Sequence, residues 1–233
     1  MMRTIVLMRK LVPRVFLHIY TNCLYICAMA NQAKTSASES LFQIAEEQQG
    51  YFTAKQASEI GYQPGSQAHH VKSGNWLRVE RGIYRLAQFP QSGEEQMVIY
   101  ALWSRNRAGR PEGVFSHQTA LSLHELSDVN SSMLHLTVPT SFRRSAKPPK
   151  ILVLHRAMLT DKDIEQWQGF AVTRALRAIA DLVSAESVSQ DIIKQALAQG
   201  RQRGLITACE VSELSRQGQW PRWFYELMAD CKE

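Results

Sequence analysis

The stretch FTAKQASEIGYQPGSQAHHVKSGNWLRVERGIYRL, residues 52–86, decides the fold of the first part of the chain. Thr53 is a good N-cap for a short helix that Gly61 closes, and Pro64 suits the first position of the next helix. The segments NWLRV and GIYRL are rich in β-branched and aromatic residues, and Gly82 allows a tight turn between them. Two helices followed by a hairpin predict the core of a winged helix-turn-helix.

The chain on either side completes this unit. A further helix should precede it and end at Gly50, because side chains at helical spacing lie just before that glycine: Leu41, Phe42, Ile44, Ala45 and Gln48. Beyond residue 90 the composition changes. The sequence therefore predicts a winged helix-turn-helix DNA-binding domain at 41–90 and an α+β domain at 91–233.

The second domain mixes helical and strand patterns. One helix should end near Asn106, Ser116 should cap another, and Thr173 should cap the first of several carboxy-terminal helices. Strand-like segments lie between them at residues 133–139, 151–157 and 169–173. This order indicates an α+β fold in which helices cover a small sheet.

The third helix, from Pro64 to about Ser73, carries a row of hydrogen-bonding side chains. With about 100° between successive residues, Ala68 and Val71 should face the core. The polar residues that should face outward or lie at the edges are Ser66, Gln67, His69, His70, Lys72 and Ser73. A reader of the major groove needs such groups, because base edges differ there in donors and acceptors. The alternatives are an ordinary solvated helix and a surface for protein contacts.

Basic residues accompany the hairpin. Arg78, Arg81 and Arg85, with Lys72, lie on or beside the wing and could bind DNA phosphates, which supply affinity without sequence information. A solvated hairpin edge is the alternative, and Glu80 next to Arg81 weakens the electrostatic argument.

The net positive charge of the full sequence overstates the case for a nucleic-acid partner. The chain carries 27 Lys and Arg against 21 Asp and Glu, but residues 1–30 hold four of the basic residues and no acidic one. The rest therefore has a net charge of +2, so an electrostatic argument must depend on where charges cluster. Residues 1–40 are expected to be a mis-called start, with Met29 as the true first residue, followed by a disordered tail. A secretory signal or membrane segment and a genuine appendage are the alternatives.

Cysteine and histidine spacings indicate no metal site. Cys23 and Cys27 form a C-x3-C pair without further ligands at suitable spacing, and the adjacent His69 and His70 point in different directions on a helix. We expect reduced thiols in a cytoplasmic protein, with no metal and no cofactor.

The run SFRRSAKPPK lies between two predicted strands and contains four basic residues and no acidic one: Arg143, Arg144, Lys147 and Lys150. This loop could bind an acidic partner or a phosphate backbone. A solvated hairpin loop explains it equally well.

Motifs of the common enzyme classes are absent from the sequence. It contains no phosphate-binding loop, no G-x-S-x-G, no HExxH and no paired-carboxylate nuclease signature. We therefore expect a protein that is not an enzyme. The alternative is a nucleic-acid- or nucleotide-processing enzyme targeted by its winged helix, with candidate groups at His117, His124, Glu125, Asp128 and His155.

Several motifs in one order give the sequence a family resemblance. They are GYFTAKQASEIGY, AHHVKSGNWLRVERGIYRL, VFSHQTALSLHEL, LHLTVP, LVLHRA and GFAVTRALRAIADL. Over residues 41 to about 205 the chain resembles the AbiEi family of bacterial type IV toxin-antitoxin antitoxins, also described as transcriptional regulators. The family often has proline where this chain has Ala175.

The resemblance implies a winged helix that represses its own operon and a second domain that counteracts a nucleotidyltransferase toxin. It assigns DNA contact to the outward face of the third helix and to the wing: Ser66, Gln67, His69, His70, Lys72, Arg78 and Arg81. The expected partners are double-stranded DNA at the protein's own promoter and such a toxin, with no membrane. A solitary regulator without a toxin is also compatible with it.

Overall fold

The computed structural model describes residues 37–128, 131–144 and 147–230. The expectations for residues 1–36, including the start at Met29, lie outside these ranges. Residues 37–40, expected to belong to a disordered tail, are instead the first turn of helix α1, which runs to residue 47. Their Ser and Glu composition resembles a linker, but Leu41 behind them is buried and draws the turn into the helix.

The amino-terminal unit has the arrangement of a winged helix-turn-helix. After α1 its elements are β1 (Tyr51–Thr53), α2 (Ala54–Glu59), α3 (Gln67–Lys72), β2 (Trp76–Glu80) and β3 (Ile83–Leu86). Thr53 caps α2 through a capping box with Gln56, as its sequence position predicts. The three strands form an antiparallel sheet in the order β1-β3-β2.

A small aromatic core holds this unit together. Its buried residues are Leu41, Ala45, Phe52, Ala57, Trp76 and Leu86. The Trp76 ring lies at the centre, edge-on to Phe52 with 4.8 Å between ring centroids and edge-on to Tyr62 at 5.1 Å. Helix α3 contributes no buried residue of its own, so its position depends on the aromatic side chains beneath it.

The remaining chain forms a mixed sheet covered by helices. Its elements are α4 (Glu95–Trp103), β4 (Val114–Phe115), α5 (His117–Leu123), β5 (Leu134–Val138), β6 (Leu152–Arg156), a short 3-10 helix (Asp161–Asp163), β7 (Ile164–Trp167), β8 (Phe170–Thr173), α6 (Ala175–Ala185), α7 (Gln190–Gln202), α8 (Ala208–Gln217) and α9 (Arg222–Asp230). The strand order is β6-β5-β4-β8-β7, with parallel pairs β5/β6 and β4/β8. The prediction of an α+β protein is confirmed.

Two details of the sequence prediction need correction. The sheet contains β4 and β7 in addition to the three expected strands; β4 has only two residues and β7 has exposed side chains, so neither shows a strand pattern. Thr173 ends β8 and does not cap α6, because Arg174 takes the N-cap position.

The winged-helix unit and the α+β part share buried surface. Tyr51 of β1 and Ile83 of β3 belong to the large core formed by the mixed sheet and its helices. Helix α4 supplies Val98, Ala101 and Leu102 to the same core. Among the helices of the described ranges, none is both long enough and apolar enough to cross a membrane.

Candidate nucleic-acid interface

Helix α3 presents a short polar face. His69 and Lys72 are exposed, and Gln67 is half-buried with its side-chain oxygen accepting a hydrogen bond from the Gly65 N–H at 2.9 Å. Ser66 precedes the helix and its hydroxyl oxygen is shielded from solvent. Ser73 is exposed at the end of the helix, but its hydroxyl already donates to the His70 carbonyl oxygen at 3.1 Å. Of the polar row expected from the sequence, Gln67, His69 and Lys72 therefore keep side-chain groups that can reach a partner.

His70 and Ala68 of α3 differ from the orientations that the sequence predicts. The His70 ring stacks on Trp76 with 4.4 Å between centroids and 17° between planes, and burial lowers the pKa of His70. Ala68, expected in the core, is exposed. The helix begins at Gln67 rather than Pro64, and the flat indole of Trp76 provides a surface on which an imidazole ring packs. His70 therefore packs one face of its ring on Trp76 and is half-buried, and its expected role as a DNA contact stays a prediction.

The wing carries two exposed arginines, Arg78 and Arg81. The register shifts between Arg78 and Glu80, and Gly82 closes the turn with a φ of 74° that glycine adopts without strain. None of the ion pairs found within the described ranges involves either arginine. Both guanidinium groups are free to bind phosphate.

Arg85 was expected beside them, and the structure places it elsewhere. Its residue is 9% exposed, and its Nη1 lies 3.8 Å from Oε1 of Glu95 on α4. The side chain points between the winged-helix sheet and α4, because alternate residues of a strand face opposite sides of the sheet. Arg85 therefore links the two parts of the chain and cannot reach a DNA backbone.

The basic loop after β5 adds to the charge near the wing. Arg143 is exposed, and Arg144 is half-buried with its guanidinium carbon 4.7 Å from the Trp103 ring centroid. Both line a cavity with Arg81, whereas Lys147 and Lys150 are exposed residues outside its lining. Their expected role as partner or phosphate contacts stays a prediction.

Sequence reasoning missed two arginines of this cavity, Arg105 and Arg107. They follow α4 in the segment SRNRAGR, whose repeated arginines are the only signal that the sequence offers. Their significance depends on the fold, which brings this segment under the wing turn: Nη2 of Arg105 lies 3.1 Å from the position that a Cβ atom on Gly82 would take.

Three histidines form a separate cluster: His117 at the start of α5, His135 on β5 and His155 on β6. The His117 and His155 rings stack at 3.6 Å between centroids, and Nδ1 of His135 lies 2.9 Å from Nε2 of His155. Burial, followed by the charges of neighbouring groups, lowers the pKa of His117 to about 3 and also lowers that of His135. Burial lowers the pKa of His155 too. The rings are therefore neutral near pH 7.

Of the five groups of the alternative enzyme site, the structure shows contact between two. It brings His117 and His155 together, with His135 as a member that sequence reasoning missed. His124 is buried, with Nε2 within 2.9 Å of the Thr173 carbonyl oxygen, and Glu125 pairs with Arg203 at the surface. Over the described ranges no group of three or more His, Cys, Asp or Glu is arranged to hold a metal ion.

The histidine cluster predicts a loss of stability in acid. His117 has its pKa lowered from 6.5 to about 3, so below pH 6.5 the unfolded chain binds a proton that the folded chain excludes. The free energy of unfolding should therefore fall as the pH drops below 6.5, by up to about 1.4 kcal/mol per pH unit for this group. Urea unfolding at several pH values between about 7 and 5 measures the slope.

The control for this prediction is His117→Asn. Asparagine accepts the φ of 53° at this position better than most residues, and it does not titrate. The variant should show a shallower pH dependence than the parent. An unchanged slope would contradict the assignment of the acid sensitivity to His117.

Short helices closed by a hairpin wing, with a polar helix face and exposed wing arginines, give this unit the arrangement of a winged helix, a fold that many DNA-binding proteins use. In agreement, residues 39–87 match the sequence model of the AbiEi_4 family, described as "Transcriptional regulator, AbiEi antitoxin". The resemblance found in the sequence is thereby confirmed for this region.

The fold of most of the chain also has a counterpart among solved structures. The crystal structure of the RV2827C protein from Mycobacterium tuberculosis superposes with a TM-score of 0.50 and 11% sequence identity, covering 85% of this chain and 76% of that one. At this identity the likeness concerns the fold alone. No curated protein matches the chain.

Proposed function

We propose that this protein is a DNA-binding repressor of its own promoter and the antitoxin of a type IV toxin-antitoxin system, and that it has no enzymatic activity. The observation that carries the DNA-binding half is the polar face of α3, where His69 and Lys72 are exposed and Gln67 is half-buried. The exposed Arg78 and Arg81 of the wing lie on the same unit. The family match of residues 39–87 supports the regulatory role.

In this proposal α3 enters the major groove and the wing holds the backbone. His69 has an exposed imidazole and Gln67 an amide, and both can donate to or accept from base edges. Arg78 and Arg81 contact phosphates, which set the orientation of the protein on the duplex but carry no sequence information. Trp76 fixes the position of α3 relative to the sheet, because its ring packs against the His70 ring.

The antitoxin half depends on the α+β part. The family description supports an antitoxin, and the resemblance of the sequence supports a nucleotidyltransferase as its target. The DNA-reading face and the mixed sheet are different surfaces of the chain, so repression and neutralisation can be separated by substitution.

The two kinds of DNA contact predict different effects. Arg81→Gln should weaken binding to the promoter and to random DNA alike and reduce the salt dependence by about one phosphate contact. His69→Ala should reduce the preference for the promoter by about 1–3 kcal/mol if the imidazole contacts a base. Fluorescence anisotropy with promoter and scrambled duplexes over a range of salt concentrations measures both quantities.

Arg222→Gln is the charge-matched control, because Arg222 is exposed on α9 and pairs with Glu226. It should leave both affinities unchanged. Equal, undetectable binding of the parent protein to promoter and scrambled DNA would refute the repressor. For the antitoxin, we expect a nucleotidyltransferase gene beside this one. The full chain should restore growth of cells that express that nucleotidyltransferase, and Arg81→Gln should restore growth equally well. The absence of such a gene, or failure of the parent chain to restore growth, would refute that half.

A further inference from the structure

A cavity of about 810 Å³ lies between the wing turn and the α+β part. Among the described residues, its lining contains five arginines and no carboxylate. The arginines come from three separate segments of the chain: Arg81, Arg105, Arg107, Arg143 and Arg144. Single arginines are common on protein surfaces and need no explanation. Here three segments place arginines around one concavity, and charges of one sign in a concavity concentrate a positive potential there.

Two of the five arginines, Arg105 and Arg144, are half-buried, and we call them the inner pair. Arg105 donates from Nη1 to the Leu102 carbonyl oxygen at 2.7 Å, and Arg144 donates from Nη1 to the Arg105 carbonyl oxygen at 3.3 Å. These bonds fix both side chains in place. Nε of Arg144 is shielded from solvent and has no hydrogen-bond partner within the described ranges.

The inner pair is electrostatically unfavourable as it stands. Burial, followed by the charge of Arg144, lowers the pKa of Arg105, and burial lowers the pKa of Arg144. Two half-buried cations weaken the folded state when no carboxylate pairs with them, as is the case among the described residues, and a bound anion would offset this effect. A guanidinium held by backbone carbonyls keeps its remaining N–H groups for such an anion.

We propose that this cavity binds a compact polyphosphate, either inorganic or the triphosphate of a nucleotide. Arginine forks bind phosphate oxygens with paired hydrogen bonds, and the volume is that of a small-molecule site. The three exposed arginines, Arg81, Arg107 and Arg143, are also within reach of a DNA backbone. The recessed inner pair suits a compact anion better than phosphates spread over the convex surface of a duplex.

Binding at this site would regulate the proposed repressor, a consequence that depends on the proposed function. Arg81 belongs both to the wing and to the cavity. A polyphosphate that engages Arg81 withdraws it from the DNA backbone, so the ligand should weaken promoter binding.

Calorimetric titration of the full chain, without DNA and at constant ionic strength, tests the site itself. Sodium tripolyphosphate and ATP are the two ligands, and they distinguish an inorganic from a nucleotide source. We expect saturable binding of at least one of them at one site per chain. Arg144→Gln should weaken it about tenfold or more, because a charge-assisted hydrogen bond is lost.

Arg110→Gln is the matched control, since Arg110 is exposed in the same segment as Arg105 and Arg107 but does not line the cavity. It should change the affinity by less than about twofold. If Arg144→Gln unfolds the protein, Arg105→Lys keeps the charge without the fork and should still lose affinity at an unchanged thermal midpoint.

No saturable heat with either ligand, or equal losses in Arg110→Gln and the cavity variants, would overturn the proposal. If neither polyphosphate bound while Arg144→Gln weakened the binding of a short duplex in a separate titration, the cavity would belong to the contact with the DNA backbone, which would also overturn the proposal. Because the titration contains no DNA, its failure leaves the proposed repressor standing.

Discussion

Trp76→Ala should lower the free energy of unfolding by about 3–5 kcal/mol and abolish DNA binding. Trp76 is 2% exposed and contacts the rings of Phe52, Tyr62, His70 and Tyr84. Its removal leaves a cavity in a core of six buried residues and takes away the surface that supports α3. Urea unfolding followed by circular dichroism measures the stability, and anisotropy with the promoter duplex measures the binding.

The neighbouring residue provides the control. Leu77 lies on the other face of the same strand and is 40% exposed. Leu77→Ala should change stability by no more than about 0.5 kcal/mol. If Trp76→Ala cost less than about 1 kcal/mol, the packing of α3 on the indole ring would have to be rejected.

Glu95→Ala should cost about 3 kcal/mol, because it breaks the ion pair with Arg85 and also removes the hydrogen bond between Glu95 and Tyr51. The carboxylate lies 3.8 Å from Arg85, whose side chain is 11% exposed, so the substitution leaves a guanidinium buried without a counter-charge. The expected cost is at the lower end for such pairs, because the Glu95 side chain is 26% exposed. Chemical unfolding measures the loss.

Two comparisons separate this explanation from a general effect of removing charge. Glu59→Gln breaks the exposed pair with Lys55 on α2. It should lower the free energy of unfolding by at most about 0.3 kcal/mol. Combining Glu95→Leu with Arg85→Met should recover most of the loss, since a buried pair and an apolar pair are often equally stable. If the double variant were as unstable as Glu95→Ala, a buried unpaired charge would not be the cause.

The pKa of Tyr51 provides a second, independent measure of the Glu95 charge. Burial, and then the charge of Glu95, raises the pKa of Tyr51 to about 12. Glu95→Ala should therefore lower the pKa of Tyr51 toward its ordinary value, which an ultraviolet difference titration detects.

Features set by neighbours in the sequence were predictable. The Thr53 cap and the hairpin closed at Gly82 follow from signals a few residues long. The family resemblance was equally local, since its confirmed part spans residues 39–87. The candidate DNA contacts at His69, Lys72, Arg78 and Arg81 are exposed as their positions in this unit suggested.

Features that need a distant partner were not predictable. Strand β1 has three residues and exists because β3 pairs with it. The inward turn of His70 depends on the Trp76 ring, and the burial of Arg85 depends on Glu95 in the next helix. The arginine cavity combines segments separated by tens of residues, so only the folded chain shows that Arg105 lies under the wing turn.

The burial of Ile83 and Tyr51 in the large core limits how this protein can be dissected or recombined. A fragment cut after residue 90 would expose two large apolar side chains and an arginine that had been sealed against α4. The base of the wing therefore belongs to the cores of both parts of the chain. A chimera that replaces the winged-helix unit with that of a relative must therefore include α4 from the same relative. Otherwise the contacts of Tyr51, Ile83 and Arg85 with the α+β part have to be redesigned.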